Sequence, residues 1–309
     1  MAVKLDKLEM DMLATISDLH GVPRGAYNIR ENGKKLDRRT TANIDIVSKT
    51  DKDGIDIIIK PGTKNESVHI PVILSESGME DMVYNDFYVG EGADVVIVAG
   101  CGIHNCGNQK SQHDGIHTFY IGKNAKVKYV EKHYGEGDGT GENVLNPVTV
   151  CHLDEGSYME METVQIKGVD STNRKTKADL KANATLIIGE KIFTHGNQNA
   201  TTEFEVTLDG ENSHTHVVSR SVARDNSKQL FLSNVYGNNL CNGHTECDAI
   251  VMDKATVSAI PEIHANSTDA SLVHEAAIGK IAGEQLIKLM TLGLTEKEAE
   301  EQIIAGFMK

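Results

Sequence analysis

Cys247 sits in the stretch His244-Thr-Glu-Cys-Asp-Ala-Ile250, and Glu275 follows it 28 residues later inside Leu272-Val-His-Glu-Ala276. Together the two segments offer one thiol, Cys247, one carboxylate, Glu275, and one imidazole, His274. Four thiolates hold an iron–sulfur cluster firmly, whereas one thiolate with oxygen and nitrogen donors holds iron more weakly. The set therefore suits a labile metal-cluster site. Glu246 and Asp248 flank the cysteine, and their charge raises a thiol's pKa, which disfavours a nucleophile that must be thiolate at neutral pH. A bound metal ion reverses that effect by deprotonating the thiol outright. The surroundings argue against a cysteine hydrolase and agree with a metal ligand; the competing reading is a small buried apolar residue.

A second, weaker group is Cys101-Gly-Ile-His-Asn-Cys106, with His113 and His117 beyond it. Cys101, His104 and Cys106 have the softness for zinc or iron, but zinc sites pair such a motif with a distant second half, and no second cysteine pair exists. His214 and His216 share one face of a predicted strand, where histidines are more often core or interface residues. Cys151-His152 and Cys241 have no supporting pattern. The chain has no Gly-x4-Gly-Lys-Ser/Thr phosphate loop, no Gly-x-Ser-x-Gly elbow and no His-Glu-x-x-His. ATP hydrolysis by this chain is not expected, and neither is another enzymatic activity.

What must position these residues is a repeat. Val89-Gly-Glu-Gly-Ala, Ile121-Gly-Lys-Asn-Ala, Leu153-Asp-Glu-Gly-Ser and Leu180-Lys-Ala-Asn-Ala each precede alternating apolar positions. Leu208-Asp-Gly-Glu-Asn-Ser is a looser copy and Val251-Met-Asp-Lys-Ala a good one; successive starts differ by 32, 32, 27, 28 and 43 residues. Short strands, tight corners and a small residue after each corner describe a parallel β-solenoid, in which every coil buries its apolar side against the next. A β-sandwich would instead show two-residue Asn-Gly or Asp-Gly hairpin turns; Asp209-Gly and Asn242-Gly occur, but the corner pattern dominates. In a solenoid, two residues one coil apart stack about one strand spacing apart, near 4.8 Å. The 28-residue interval would then set Glu275 beside Cys247. His274 would point to the opposite side of the strand from Glu275, so a two-fold dimer is one route to a complete ligand set.

Leu5, Leu8, Met12, Leu13, Ile16 and Leu19 predict an amphipathic helix over residues 4–19, ended by Gly21 and Pro23. Strands follow from Ile44, including Ile55–Ile59 and Val68–Leu74. At the other end, 283–293 reads as a helix stopped by Gly293. Thr295-Glu-Lys-Glu298 is a capping box opening a second helix through Ala299, Ile303, Ile304 and Phe307. This hairpin would cap the open core, dock a partner, or do both. The expected organisation is an N-terminal helix (1–22), a β core (23–274) and a C-terminal helical region (275–309).

Composition narrows the function. Aromatic residues are 5% with no Trp, which fits a narrow aliphatic core. A net charge of −14 leaves no electrostatic case for nucleic acid or an anionic membrane. No apolar run is long enough to span a bilayer, and the N-terminus lacks a signal-peptide core, so a cytoplasmic protein is expected. Five cysteines are an odd number, and free thiols are expected rather than a disulfide framework.

Thr245-Glu-Cys-Asp-Ala-Ile-Val251, Ile260-Pro-Glu-Ile263, His274-Glu-Ala-Ala-Ile-Gly-Lys-Ile281, Glu284-Gln-Leu286, Gly293-Leu-Thr-Glu-Lys-Glu-Ala299 and Ile304-Ala-Gly-Phe307 recur in an order that resembles the SufB/SufD family. Those proteins are scaffolds of the SUF iron–sulfur assembly system. The resemblance is clear over residues 180–309 and loose back to about residue 85. It implies a right-handed parallel β-helix whose C-terminal helices dock a SufC-type ABC ATPase, and a role in assembling a nascent [2Fe–2S] or [4Fe–4S] cluster for transfer to apoproteins. Cys247 falls on the cysteine of the SufB-type motif, Glu275 on the glutamate of its His-Glu-Ala-Thr-like motif, and His274 on the histidine that SufD-type members use at the shared interface. A chain holding all three would act as both halves, as a homodimer. It resembles the short, minimal prokaryotic type, which lacks most of the long N-terminal region. Val273 stands where large SufB proteins often carry an acid, and the longer proteins' sulfur-transfer cysteine has no assignable equivalent among Cys101, Cys106 and Cys151. The alternatives are a structural partner of a longer scaffold, holding no cluster, and a carbohydrate-acting β-helix enzyme, which the lack of Trp and of an export signal disfavours.

Overall fold

The computed structural model describes residues 7–17, 25–165 and 167–309. Helix α1 (Lys7–Ser17) is followed by β1 (Ala26–Glu31), β2 (Lys34–Arg39), β3 (Ile44–Ser48), β4 (Gly54–Ile59), β5 (Lys64–Leu74), β6 (Glu80–Val89) and β7 (Asp94–His104). Then come β8 (Ser111–Ile121), β9 (Lys126–Glu136), β10 (Asn143–Leu145), β11 (Val148–Leu153), β12 (Tyr158–Gln165), β13 (Ser171–Leu180) and β14 (Thr185–Thr194). The chain ends with β15 (Asn199–Leu208), β16 (Ser213–Ala223), β17 (Lys228–Gly237), β18 (Cys241–Val251), β19 (Thr256–Ala265), β20 (Ala270–Gly279), α2 (Gly283–Thr291) and α3 (Glu296–Phe307).

The strands form two sheets that the chain visits in turn. The first sheet runs β2-β1-β5-β7-β9-β12-β14-β16-β18-β20, and the second β19-β17-β15-β13-β10-β8-β6-β4-β3. β11 continues the rung of β10, pairing with both β8 and β13 past the break at Pro147, which has no backbone N–H to give to the ladder. All pairs are parallel except β1–β2 and β3–β4 at the N-terminal end. This is a β-solenoid of about eight turns, not a sandwich. Asn32-Gly33, both at positive φ (46° and 74°), make the tight hairpin between β1 and β2.

The repeat has a direct physical basis. Strand residues alternate buried and half-exposed, so one side of each coil meets the next coil's. Ile57, Phe87, Phe119, Cys151, Ala178, Val206 and Val235 form one such inward ladder, with Phe87 and Phe119 stacked at 4.4 Å. At each corner a left-handed residue (Gly92, Asn124, Gly156, Asn183, Asn212) turns the chain inward. Ala93, Ala125, Ser157, Ala184 and Ser213 then enter a space with no room for a larger side chain, being at most 1% exposed. The 43-residue interval has a structural cause. Val89, Ile121, Leu153, Leu180 and Leu208 end strands of the second sheet, but Val251 ends β18 in the first. The coil position matching Leu208 is Gly237.

Met12, Leu13 and Ile16 of α1 are buried against the outer face of the first sheet together with Tyr27, Ile29 and Ile73. Gly100 of β7 permits this approach, since a Cβ there would lie 2.5 Å from the Ile16 carbonyl oxygen. Leu5, Leu19, Gly21 and Pro23 of the predicted helix and stop lie outside the described residues. The C-terminal hairpin forms as predicted. Gly293 takes φ +97°, and the Thr295 and Glu298 side chains each hydrogen-bond the other's backbone N–H. β20 carries the solenoid to Gly279, past the expected 274/275 boundary.

One expectation fails. The helices do not lid the open core: α3 buries Ala299, places Glu300 3.8 Å from Arg224, and leaves the Lys309 carbonyl accepting from Lys191 Nζ at 2.7 Å. The hairpin thus lies back along the flank of the first sheet. Pro261 and Ile263 of β19, and Ala276 and Ile278 of β20, continue the inward-facing rows yet remain exposed.

Candidate metal centre

β18 and β20 carry the three leading residues, and their register decides which meet. The coil here takes 29 residues, not 28, as the Thr245–His274 contact shows. Glu275 therefore stands opposite Glu246, His274 opposite Thr245, and Ala276 opposite Cys247. The expected Cys247–Glu275 stacking is corrected: a one-residue offset moves a strand's side chain to the other face. Cys247, 2% exposed, faces inward, and His274 shares that face, two residues from it along the rung. Glu275 points outward, with its Oε2 3.7 Å from His244 Nε2. The opposed directions of His274 and Glu275 are as expected.

Burial pushes the Cys247 thiol up to about 12, with Glu190 and Asp248 adding to it, so a bound metal ion is needed to make it a thiolate at neutral pH. His274 is lowered, first by burial and then by His244, which keeps its imidazole neutral as a metal ligand must be. Its Nδ1 is held 2.7 Å from Thr245 Oγ1, while its Nε2 is shielded from solvent and has no hydrogen-bond partner. A histidine anchored through one nitrogen with the other left free is how metal-binding imidazoles are oriented.

Residues 75–307 match the profile of the SUF system FeS cluster assembly SufBD core domain. The chain belongs to the SufBD family. Its relatives include iron-sulfur cluster assembly SufBD family proteins of Archaeoglobus fulgidus, 30% identical over 84% of this chain and 69% of that protein, and of Methanocaldococcus jannaschii, 29% identical over 82% and 79%. A third, from Methanothermobacter thermautotrophicus, is 27% identical over 81% of this chain and 60% of that protein. Iron–sulfur cluster assembly is the work of the family. Among the described residues, no helix is long and apolar enough to cross a membrane.

In this SufBD chain, Cys101, His104 and Cys106 do not converge. Cys101 faces inward from β7, is 2% exposed, and has its thiol raised well above the ordinary range by burial. His104 points outward and sets Nε2 3.0 Å from Cys106 Sγ and Nδ1 3.2 Å from Glu136 Oε1. The parity of β7 separates what the spacing placed together. His214 and His216 share an outer face, but His216 pairs with His244 on the neighbouring strand, in parallel rings 5.0 Å apart.

The interior also carries charge that composition did not reveal. Arg174 is paired with Glu131, lies 3.4 Å from Glu190, and donates to His133 Nδ1 at 3.1 Å, with all four residues at most 3% exposed. Burial alone would raise the Glu131 carboxyl, but Arg174 and then His133 hold it well below the carboxylate range. Burial outweighs Arg174 at Glu190 and raises that carboxyl. Tyr129 donates to Glu131 at 3.1 Å, so the 2.7 Å contact between its oxygen and His117 needs the proton on His117 Nδ1. Further along, Asp81 bridges Arg30 at 3.1 Å and His113 at 3.0 Å. The sequence signal was present: Glu131, Arg174 and Glu190 all occupy inward parities of their strands.

Proposed function

We propose that this chain is a scaffold on which an iron–sulfur cluster is built and from which it passes to recipient apoproteins. It works as a homodimer with a SufC-type ABC ATPase. The observation that carries this is the placement of Cys247 and an anchored, neutral His274 on the same inner face of the last coils, beside an open end. The cluster is the cargo, and a site with one thiolate per chain gives it up readily.

The exposed end supports the dimer. Ile260, Ile263, Val273 and Ile278 are 41–50% exposed on β19 and β20, and both strands are sheet edges with unpaired backbone groups. A two-fold partner laid on this end covers the apolar residues and brings a second Cys247 and His274 to the seam. The other copy's Glu275 can then complete a ligand set that one chain splits between two faces. The helical hairpin supports the ATPase contact, since Ile287 and Leu292 are 63% and 76% exposed on it. ATP hydrolysis falls to the partner.

Anaerobic reconstitution with iron(II) and sulfide tests the scaffold reading. Wild-type protein turns brown, Cys247→Ala does not, and His274→Ala loses colour faster on chelation. A wild-type chain that never colours while remaining folded identifies a structural partner instead. Removal of residues 283–309 abolishes ATPase binding and leaves the β core folded; retained binding refutes the docking assignment.

A further inference from the structure

On the outer face of the first sheet, behind the Cys247 face, three metal-ligating side chains converge. One donor atom each from His216, His244 and Glu246 lies within 4.8 Å of the others. His216 Nε2 is 2.9 Å from Glu246 Oε1, and His244 Nδ1 is 3.7 Å from the same oxygen. The three side chains are 26–35% exposed, open enough for an ion to reach and enclosed enough to hold their rotamers. His244 Nε2 is shielded and has no hydrogen-bond partner, and Glu275 Oε2 is 3.7 Å from it.

We propose that His216, His244 and Glu246 form a mononuclear site for a first-row divalent transition metal. Two imidazoles and one carboxylate are the donor set that takes iron(II) and zinc(II) while leaving coordination positions open. An ion with bonds of about 2.0–2.2 Å separates tetrahedral donors by roughly 3.3–3.6 Å. The present spacings straddle that range, so side-chain rotation alone completes the site. Its construction follows from the fold: stacked coils put His216 and His244 in register on adjacent strands, and Glu246, two residues on, shares their face. The site contains no sulfur ligand and needs no second chain, which separates it from the Cys247 centre. Resting on the scaffold reading, its iron-loaded form stores iron(II) one sheet thickness from where the cluster grows.

The test uses tag-free, full-length protein titrated anaerobically with cobalt(II), then with iron(II) or zinc(II) in competition, all without sulfide. Wild type and Cys247→Ala should each bind one cobalt(II) per chain, with ligand-field bands and no thiolate-to-cobalt charge transfer. His244→Ala and Glu246→Gln should bind at least tenfold more weakly, while His214→Ala, on the same face but outside the cluster, should bind as wild type. Circular dichroism melts confirm that the variants fold. A thiolate charge-transfer band that disappears in Cys247→Ala overturns the assignment, as does unchanged binding in His244→Ala or no stoichiometric binding at all; the three residues are then only a hydrogen-bonded ladder. Competition by iron(II) at lower concentration than zinc(II) is not expected from the usual affinity order, so displacement by both supports the site and their in vivo supply selects the occupant. If cobalt(II) binds as expected but no chromophore forms on reconstitution, this site stands and the scaffold reading fails.

Discussion

Replacing Arg174 by Met keeps most of the side chain's stem and removes the charge at the centre of the buried network. In the native chain one guanidinium serves Glu131, Glu190 and His133, all at most 3% exposed. Breaking a buried pair by removing one partner costs about 3–5 kcal/mol, because a carboxylate is left in a poorly polarisable interior. Glu131 keeps its Tyr129 donor and Glu190 keeps Thr202 at 3.1 Å and Ser219 at 2.8 Å, which places the expected loss near 4 kcal/mol. At roughly 2 °C per kcal/mol for a chain of this size, the melting temperature at pH 8 should fall by about 8 °C. The loss should also depend on pH. Without Arg174, burial raises the carboxyl pKa above its unfolded value, so the folded variant binds a proton that the unfolded chain does not. Its stability relative to wild type then rises as pH falls, by up to about 1.4 kcal/mol per pH unit for one proton. Thermal melts followed by far-ultraviolet circular dichroism at pH 8 and pH 6 read both effects. A deficit below about 1 kcal/mol at pH 8, or an equal deficit at both pH values, refutes the idea that Arg174 neutralises buried carboxylates.

Other outcomes follow from single residues. Burial lowers His117 to about 4, against the pull of Glu131, so between the unfolded value near 6.5 and pH 4 the unfolded chain binds the extra proton. Stability should therefore fall as pH drops through that window, by up to about 3 kcal/mol, and His117→Gln should flatten the slope measured by urea unfolding. Cys106 is exposed while Cys101, Cys151, Cys241 and Cys247 are buried, so a native titration with a thiol-reactive disulfide should release one equivalent quickly and the rest only in denaturant. Gly100→Ala should displace α1, since the new Cβ would press on the Ile16 carbonyl, and limited proteolysis should cut the N-terminal segment faster than in wild type.

The small residue after each corner, the alternation of apolar positions and the Thr295 capping box were legible because each is a local requirement. A left-handed corner favours Gly, Asn or Asp, and the position that closes it has no room for more than Ala or Ser. The N-terminal helix was legible from its stripe for the same reason. The charged column was not read, although Glu131, Arg174 and Glu190 sit at inward parities, because a lone charged residue is taken as solvent-facing until its partners on other strands are in place. The sequence by itself determined the solenoid and the helices at its ends, and it nominated Cys247, His274 and Glu275 as candidate ligands. Only the tertiary structure decided which of them share a face. Side chains in a strand alternate, and corner lengths change the residues per coil from 27 to 32, so a difference of one residue, 29 instead of 28, sends Glu275 outward to His244 and leaves His274 with Cys247.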